Sequence, residues 1–268
     1  MALAVAEDNL KAWHSPESRP DFIHDLIHGV DRYNPTNLPF MEDYLAAQVK
    51  KGQYDLFANL AILKLYQFNP HYSNPDVIIN VLVKALASSV SRPDFNLCLE
   101  MLREPFSIVQ DSESDDETFI ILMPFLQQLH QLIQTCQFTA FWDEINGSSQ
   151  TANILRERFL SQQVSPLDSF RRIFSISIAS CFRRISVHQL SRWLNLQDGE
   201  VSDWCQKVEW TIEGQDVIIP QNGQNDVKAS IVRESVSLNR KRLLLSEAIR
   251  WSLTNNVELT KLISAAAY

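Results

Sequence analysis

The chain has 268 residues, 45% of them hydrophobic and 21% charged, which suits one large or two small domains with a real core and excludes a disordered or fibrous polymer. Its 24 basic and 32 acidic residues give a net charge of −8. The imbalance lies in residues 1–150, with 9 basic and 20 acidic side chains, whereas residues 151–268 carry 15 and 12, so any RNA contact belongs to the second half.

Helix starts recur in the first half as Ser18-Arg-Pro-Asp21, Asn37-Leu-Pro39, Asn74-Pro-Asp76 and Ser91-Arg-Pro-Asp94. In each, a side-chain oxygen can cap free backbone N–H groups and proline fits the first turn. The pentapeptide SRPDF occurs at Ser18 and again at Ser91, an offset of 73 residues, close to two units of a helix-pair repeat. Phe40, Tyr44 and Ala47 before Gly52, then Leu56, Leu60 and Leu63 before Asn69-Pro70, predict an antiparallel helix pair joined by a short turn. A second pair is predicted from Pro75 to Ser88 and Pro93 to Arg103, and a third from Thr118 to Gln134 and Phe138 to Ile145. Successive pairs whose apolar faces only a neighbour can cover make a HEAT-like stack. Asp111 to Glu117, with five acids in seven residues, reads as a solvated loop, and its Ser112 and Ser114 suit an acid-directed kinase.

From Ser165 the pattern changes. Phe170, Ile173, Phe174, Ile178 and Phe182 mark an amphipathic helix, followed by helices over Val187 to Leu194 and Asp198 to Lys207. Glu209 to Ile212 and Asp216 to Ile219 flank Gly214 as a β-hairpin. Three helices closed by a hairpin is the order of a winged helix. Past Ser237, helical spacing returns through Leu244, Leu245, Ala248, Ile249 and Leu253, a face too apolar to stand alone in water.

Chemistry is sparse. The six glycines never cluster into a phosphate-binding loop or a nucleophile elbow. His24-Asp-Leu-Ile-His28 places two imidazoles at i and i+4, yet the intervening acid is a short aspartate and no third zinc ligand is evident. Cys98, Cys136, Cys181 and Cys205 stand apart and read as reduced, buried thiols of a cytoplasmic protein. The N-terminus lacks a signal peptide's basic residues, and the longest apolar run, Phe119 to Leu126, is too short to span a membrane. A DNA-reading third helix needs Arg, Lys, Asn or Gln, but this one offers Glu200, Asp203, Trp204 and Gln206, with only Lys207 positive. Arg171-Arg172 and Arg183-Arg184 suit RNA phosphates or a solvated face equally. Trp204, Trp210 and Trp251 fit a core as well as an interface.

Gly29-Val-Asp-Arg-Tyr-Asn-Pro35, Ala58 to Pro70 (ANLAILKLYQFNP), Thr135 to Trp142 (TCQFTAFW) and Arg192-Trp-Leu194 closely resemble the subunit k family of eukaryotic translation initiation factor 3. The resemblance runs from about Gly29 to Val236. It implies a mainly α fold: a HEAT-like helical repeat domain followed by a winged-helix (PCI-like) domain with a small β-hairpin and a C-terminal helix. The expected divisions are 1–28 (N-terminal extension), 29–160 (helical domain), 161–235 (winged helix) and 236–268 (C-terminal helical extension). It also implies no catalytic residue and no cofactor. The implied partners are the other subunits of the factor, especially subunit l, and through the complex the small ribosomal subunit, with initiator tRNA and mRNA recruitment as the outcome; direct RNA contact is weak or absent. The expected partner surface is the wing with the terminal helix: Trp204, Trp210, Ile212, Val217, Ile219, Leu244, Leu245, Ile249 and Trp251. Two other readings stay open: a PCI-type scaffold subunit of the proteasome lid or signalosome, and a winged-helix nucleic-acid-binding protein.

Overall fold

The helical spacing of the first half becomes a stack of paired helices. The structure, a computed structural model, describes residues 16–102, 118–197 and 199–226. Helix α1 (Asp21–His28) comes first, then α2 (Leu38–Lys51) with α3 (Leu56–Phe68), α4 (Pro75–Leu86) with α5 (Asp94–Met101), and α6 (Thr118–Gln134) with α7 (Phe138–Asn146). Caps set several starts. Asn74 accepts the Asp76 N–H at the head of α4, and Asp55 accepts that of Ala58 at the head of α3. The two SRPDF copies behave differently from the expected serine cap: each helix begins at the motif's aspartate, and the N-cap residue is proline, with no side-chain cap bond. Gly52 ends α2 with φ +67, a left-handed turn that glycine adopts without strain.

Two expectations about faces change. Residues 21–28 form a helix whose Ile23, Leu26 and Ile27 are buried in the common core, so this part of the expected N-terminal extension belongs to the body. Phe40 is more than half exposed; α2 turns Leu38, Met41, Tyr44, Leu45 and Val49 inward instead. The apolar stripe passes beside Phe40 because these five neighbours at helical spacing outweigh it. Pro124 sits inside α6 without ending it. Its missing N–H frees the carbonyl four residues back, on Ile120, which faces solvent.

After α7, a short α8 (Gln150–Ile154), a π turn and a 3-10 turn lead into α9 (Pro166–Cys181). Then come β1 (Arg184–Ser186), α10 (Val187–Leu194), α11 (Glu200–Lys207), β2 (Thr211–Glu213) and β3 (Asp216–Ile218). The antiparallel sheet has the order β1-β3-β2, with Ile185 and Ile212 both opposite Val217. This is a winged helix, mainly α as expected, with one strand more than the hairpin alone.

The helical stack and the winged helix form one compact unit with a shared core. Phe174 of α9 stacks on Phe138 at 4.4 Å and meets Phe141 and Trp142 edge-on, at 5.1 and 5.6 Å. The Trp142 indole donates to the Trp193 carbonyl of α10 at 2.9 Å. Such ring pairs add to the area they bury. The joint between the expected domains is therefore packed protein interior. No described helix is long and apolar enough to cross a membrane.

Candidate interaction surface

Five of the nine expected partner-surface residues lie on described elements, and the structure divides them. Trp204, Trp210, Val217 and Ile219 are buried. Trp204 donates its indole N–H to the Ser175 hydroxyl on α9 at 3.0 Å, which ties α11 to the first helix of the module. Val217 is the central strand's inward residue. These four side chains support the sheet from within and offer no free surface. Ile212 alone is exposed, on β2. Leu244, Leu245, Ile249 and Trp251, like the acidic loop Asp111 to Glu117, lie outside the described residues.

What the module presents is its sheet edges. Among the described residues β1 and β2 each pair with β3 only, so the outer edge of each carries backbone donors and acceptors without a strand partner. The two edges differ in charge. Arg183 and Arg184 stand at the β1 edge, with His188 and Arg192 exposed on the helix that follows. Arg184 reaches Asp216 only at 3.7 Å and is two-thirds exposed. The β2 edge offers Ile212 and Glu213, with Glu209 before it. Behind the sheet, Asn222 and Asn225 both donate to the Ala179 carbonyl at the end of α9, which fixes the chain after β3.

The face that would read DNA in a winged helix is built otherwise. Glu200 folds back to accept the Gln197 N–H, and Asp203 is exposed. Lys207, the one cation of α11, is engaged by Asp168 at 2.8 Å. Burial alone would raise the Asp168 carboxyl, but hydrogen bonds from Lys207 and Arg171 outweigh it and hold the group below its usual range. Arg171 also donates to the carbonyls of Leu194 and Asn195, closing the end of α10. It is therefore a structural cap, and of its pair only Arg172 is exposed.

The histidines of His24-Asp-Leu-Ile-His28 share one face of α1, with ring centroids 4.4 Å apart. Among the described residues, no group of three or more His, Cys, Asp or Glu side chains is placed to hold a metal ion. The cysteines split. Cys98 and Cys205 are buried, and burial pushes their thiols up to about 12 and about 11, with Asp94 adding to the rise at Cys98. Cys136 and Cys181 are exposed, contrary to the expectation for all four, because they sit past the ends of α6 and at the end of α9, where the chain leaves the core.

Comparison with known proteins places this architecture. A model of the CSN8/PSMD8/EIF3K family matches residues 72–230. Eukaryotic translation initiation factor 3 subunit K of Cryptococcus neoformans var. neoformans serotype D is 64% identical over 268 residues, covering 100% of both chains. That match includes residues 1–28 and the segment past Ser237, both set apart in the sequence reading. The protein of the same description from Mycosarcoma maydis is 34% identical over 88% of this chain and 94% of its own. Its counterpart in Phaeosphaeria nodorum is 32% identical over 87% and 95%.

Proposed function

This chain belongs to the CSN8/PSMD8/EIF3K family, beside the subunit K proteins of eukaryotic translation initiation factor 3, and on that premise we propose that it is a non-catalytic structural subunit of that factor. The observation that carries the proposal is the winged-helix sheet, whose two outer edges have no strand partner among the described residues and differ in charge, sharing a core with the helical stack. An open edge adds a partner's strand through main-chain hydrogen bonds, and charge at the edge selects the partner. The basic β1 edge suits an acidic neighbour, and the β2 edge with Ile212 suits an apolar or basic one. One such module between two neighbours continues a sheet through three subunits.

Within that reading the partners are other subunits of the factor, subunit l foremost, in the cytoplasm. The small ribosomal subunit is reached through the assembly, which supports recruitment of initiator tRNA and mRNA. Direct RNA contact is minor, since α11 faces outward with carboxylates and its cation is already paired. A scaffold role in the proteasome lid or signalosome is the second reading, favoured by the breadth of the family model.

The test is hydrogen exchange of the protein free and in a complex reconstituted with purified factor subunits. Edge pairing predicts that amides of Arg184–Ser186 or Thr211–Glu213 gain protection in the complex. Unchanged exchange on both strands would overturn edge pairing.

A further inference from the structure

The two SRPDF copies both lie against the head of α3, through different residues. In the first, the Arg19 guanidinium grips Asp55 at the head of α3 through two bonds of 2.6 and 2.7 Å. In the second, Asp94 accepts the hydroxyl of Tyr54, the residue before Asp55, at 3.0 Å. Both motifs start a helix at the aspartate, and both helices, α1 and α5, pack against α3. Their phenylalanines then part company. Phe95 is 2% exposed, and the His130 ring of α6 stacks on it at 4.4 Å. Phe22, its counterpart, is 57% exposed and among the described residues meets the edge of the Phe40 ring, itself 54% exposed.

The surface does not end there. Phe40 lies in the first turn of α2 and Phe68 ends α3, and a hydrogen bond from the Tyr66 hydroxyl to Glu42 holds those two ends together. Phe68 packs edge-on against Tyr33 at 5.8 Å, and both are half exposed, as is Tyr72 just beyond. Among the described residues this is the first unit of the stack, and where a terminal unit ordinarily turns a polar face outward, it presents aromatic rings. Exposed apolar patches of this kind mark interaction sites, where aromatic residues dominate the binding energy.

We propose that Phe22, Tyr33, Phe40 and Phe68 form a docking site for an amphipathic helix of another subunit of the initiation factor, seated on α1 as α6 is seated over Phe95. The inference rests on the reading of the chain as such a subunit. Charge specifies the helix further. Arg32 lies over the Tyr33 ring and Lys64 over that of Phe68, each without a carboxylate partner among the described residues. Asp21 and Asp25 flank Phe22 on α1. The occupant therefore carries acids along the flank that meets Arg32 and Lys64, and basic side chains along the flank that meets α1. A continuous phosphate backbone does not fit, since it would face those two carboxylates.

The experiment places the photo-crosslinking residue p-benzoylphenylalanine at Phe40 or at Phe68 in the full chain and illuminates the complex reconstituted with purified factor subunits. Mass spectrometry then reads the linked peptides. The expected result is linkage to one amphipathic helix of another subunit, with Phe22→Ala/Phe68→Ala weakening binding to that subunit about 10-fold or more while circular dichroism stays unchanged. Linkage to a second copy of this chain, to residues 1–15 of the same chain, or to none in a complex that assembles normally, overturns the docking site alone. So does linkage to a partner helix with affinity unchanged in the double variant. Failure of any complex to assemble overturns the reading on which the inference rests, and the docking site with it.

Discussion

Asp55→Asn isolates one charge at the node that holds the first helix pair together. Asp55 receives two bonds from Arg19 and one from the Tyr44 hydroxyl, and caps α3 through Ala58; the side chains of Arg19 and Asp55 are 1% and 0% exposed. Asparagine keeps one oxygen for the Ala58 cap and can turn its amide N–H toward the Tyr44 hydroxyl oxygen, so the loss falls mainly on the buried guanidinium. Removing one partner of a buried pair costs about 3–5 kcal/mol, which for a chain of this size lowers the melting temperature by roughly 6–20 °C. Replacing both partners removes the stranded charge, so Arg19→Met/Asp55→Asn returns to within about 2 kcal/mol of the parent. Urea titrations of the three proteins, followed by circular dichroism, give the comparison. A cost below about 1 kcal/mol for Asp55→Asn, or a double variant no more stable than the single one, would refute the pairing as the source of the effect.

Three further outcomes are expected. Phe174→Ala, at the joint of stack and winged helix, loses about 3–5 kcal/mol, and near-ultraviolet signals and far-ultraviolet helicity still melt in one transition; two separated transitions would mean that the halves are not one cooperative unit. Lys84 is buried on α4, and burial lowers its ammonium from 10.5 to about 8. The unfolded chain therefore holds the proton more tightly, so the penalty is full below pH 8 and relieved as pH rises toward 10.5. Lys84→Met should stabilise the protein at pH 7 by about 3 kcal/mol at most, with the advantage shrinking by pH 10; an advantage independent of pH would count against a buried charge. A thiol reagent should label Cys136 and Cys181 in the native protein and reach Cys98 and Cys205 only on unfolding. Equal rates at all four would contradict the burial.

Much of the fold is legible from periodicity. The range Thr118–Gln134 follows directly from apolar spacing, and Gly214 with φ +63 marks the hairpin turn. Strand β1 is not legible, because three residues with one apolar side chain between arginine and serine carry no alternation to read. The partner surface is less legible than the fold. Type alone fits Trp204 and Trp210 to a core or an interface; only the Ser175 bond and the buried strand Val217 decide it. The SRPDF repeat is visible in the sequence, but Arg19 and Asp55 are 36 positions apart, and nothing local links them. Phe22 and Phe95 read alike, since what separates them is whether a neighbouring helix covers the ring.

As a member of this family, the chain should be held within translation initiation factor 3. Affinity purification of the full-length tagged protein under native conditions, with mass spectrometry of the co-purifying chains, tests it most directly. The expected result is recovery of initiation factor 3 subunits, subunit l among the most abundant. Recovery of proteasome lid or signalosome subunits without them would contradict it.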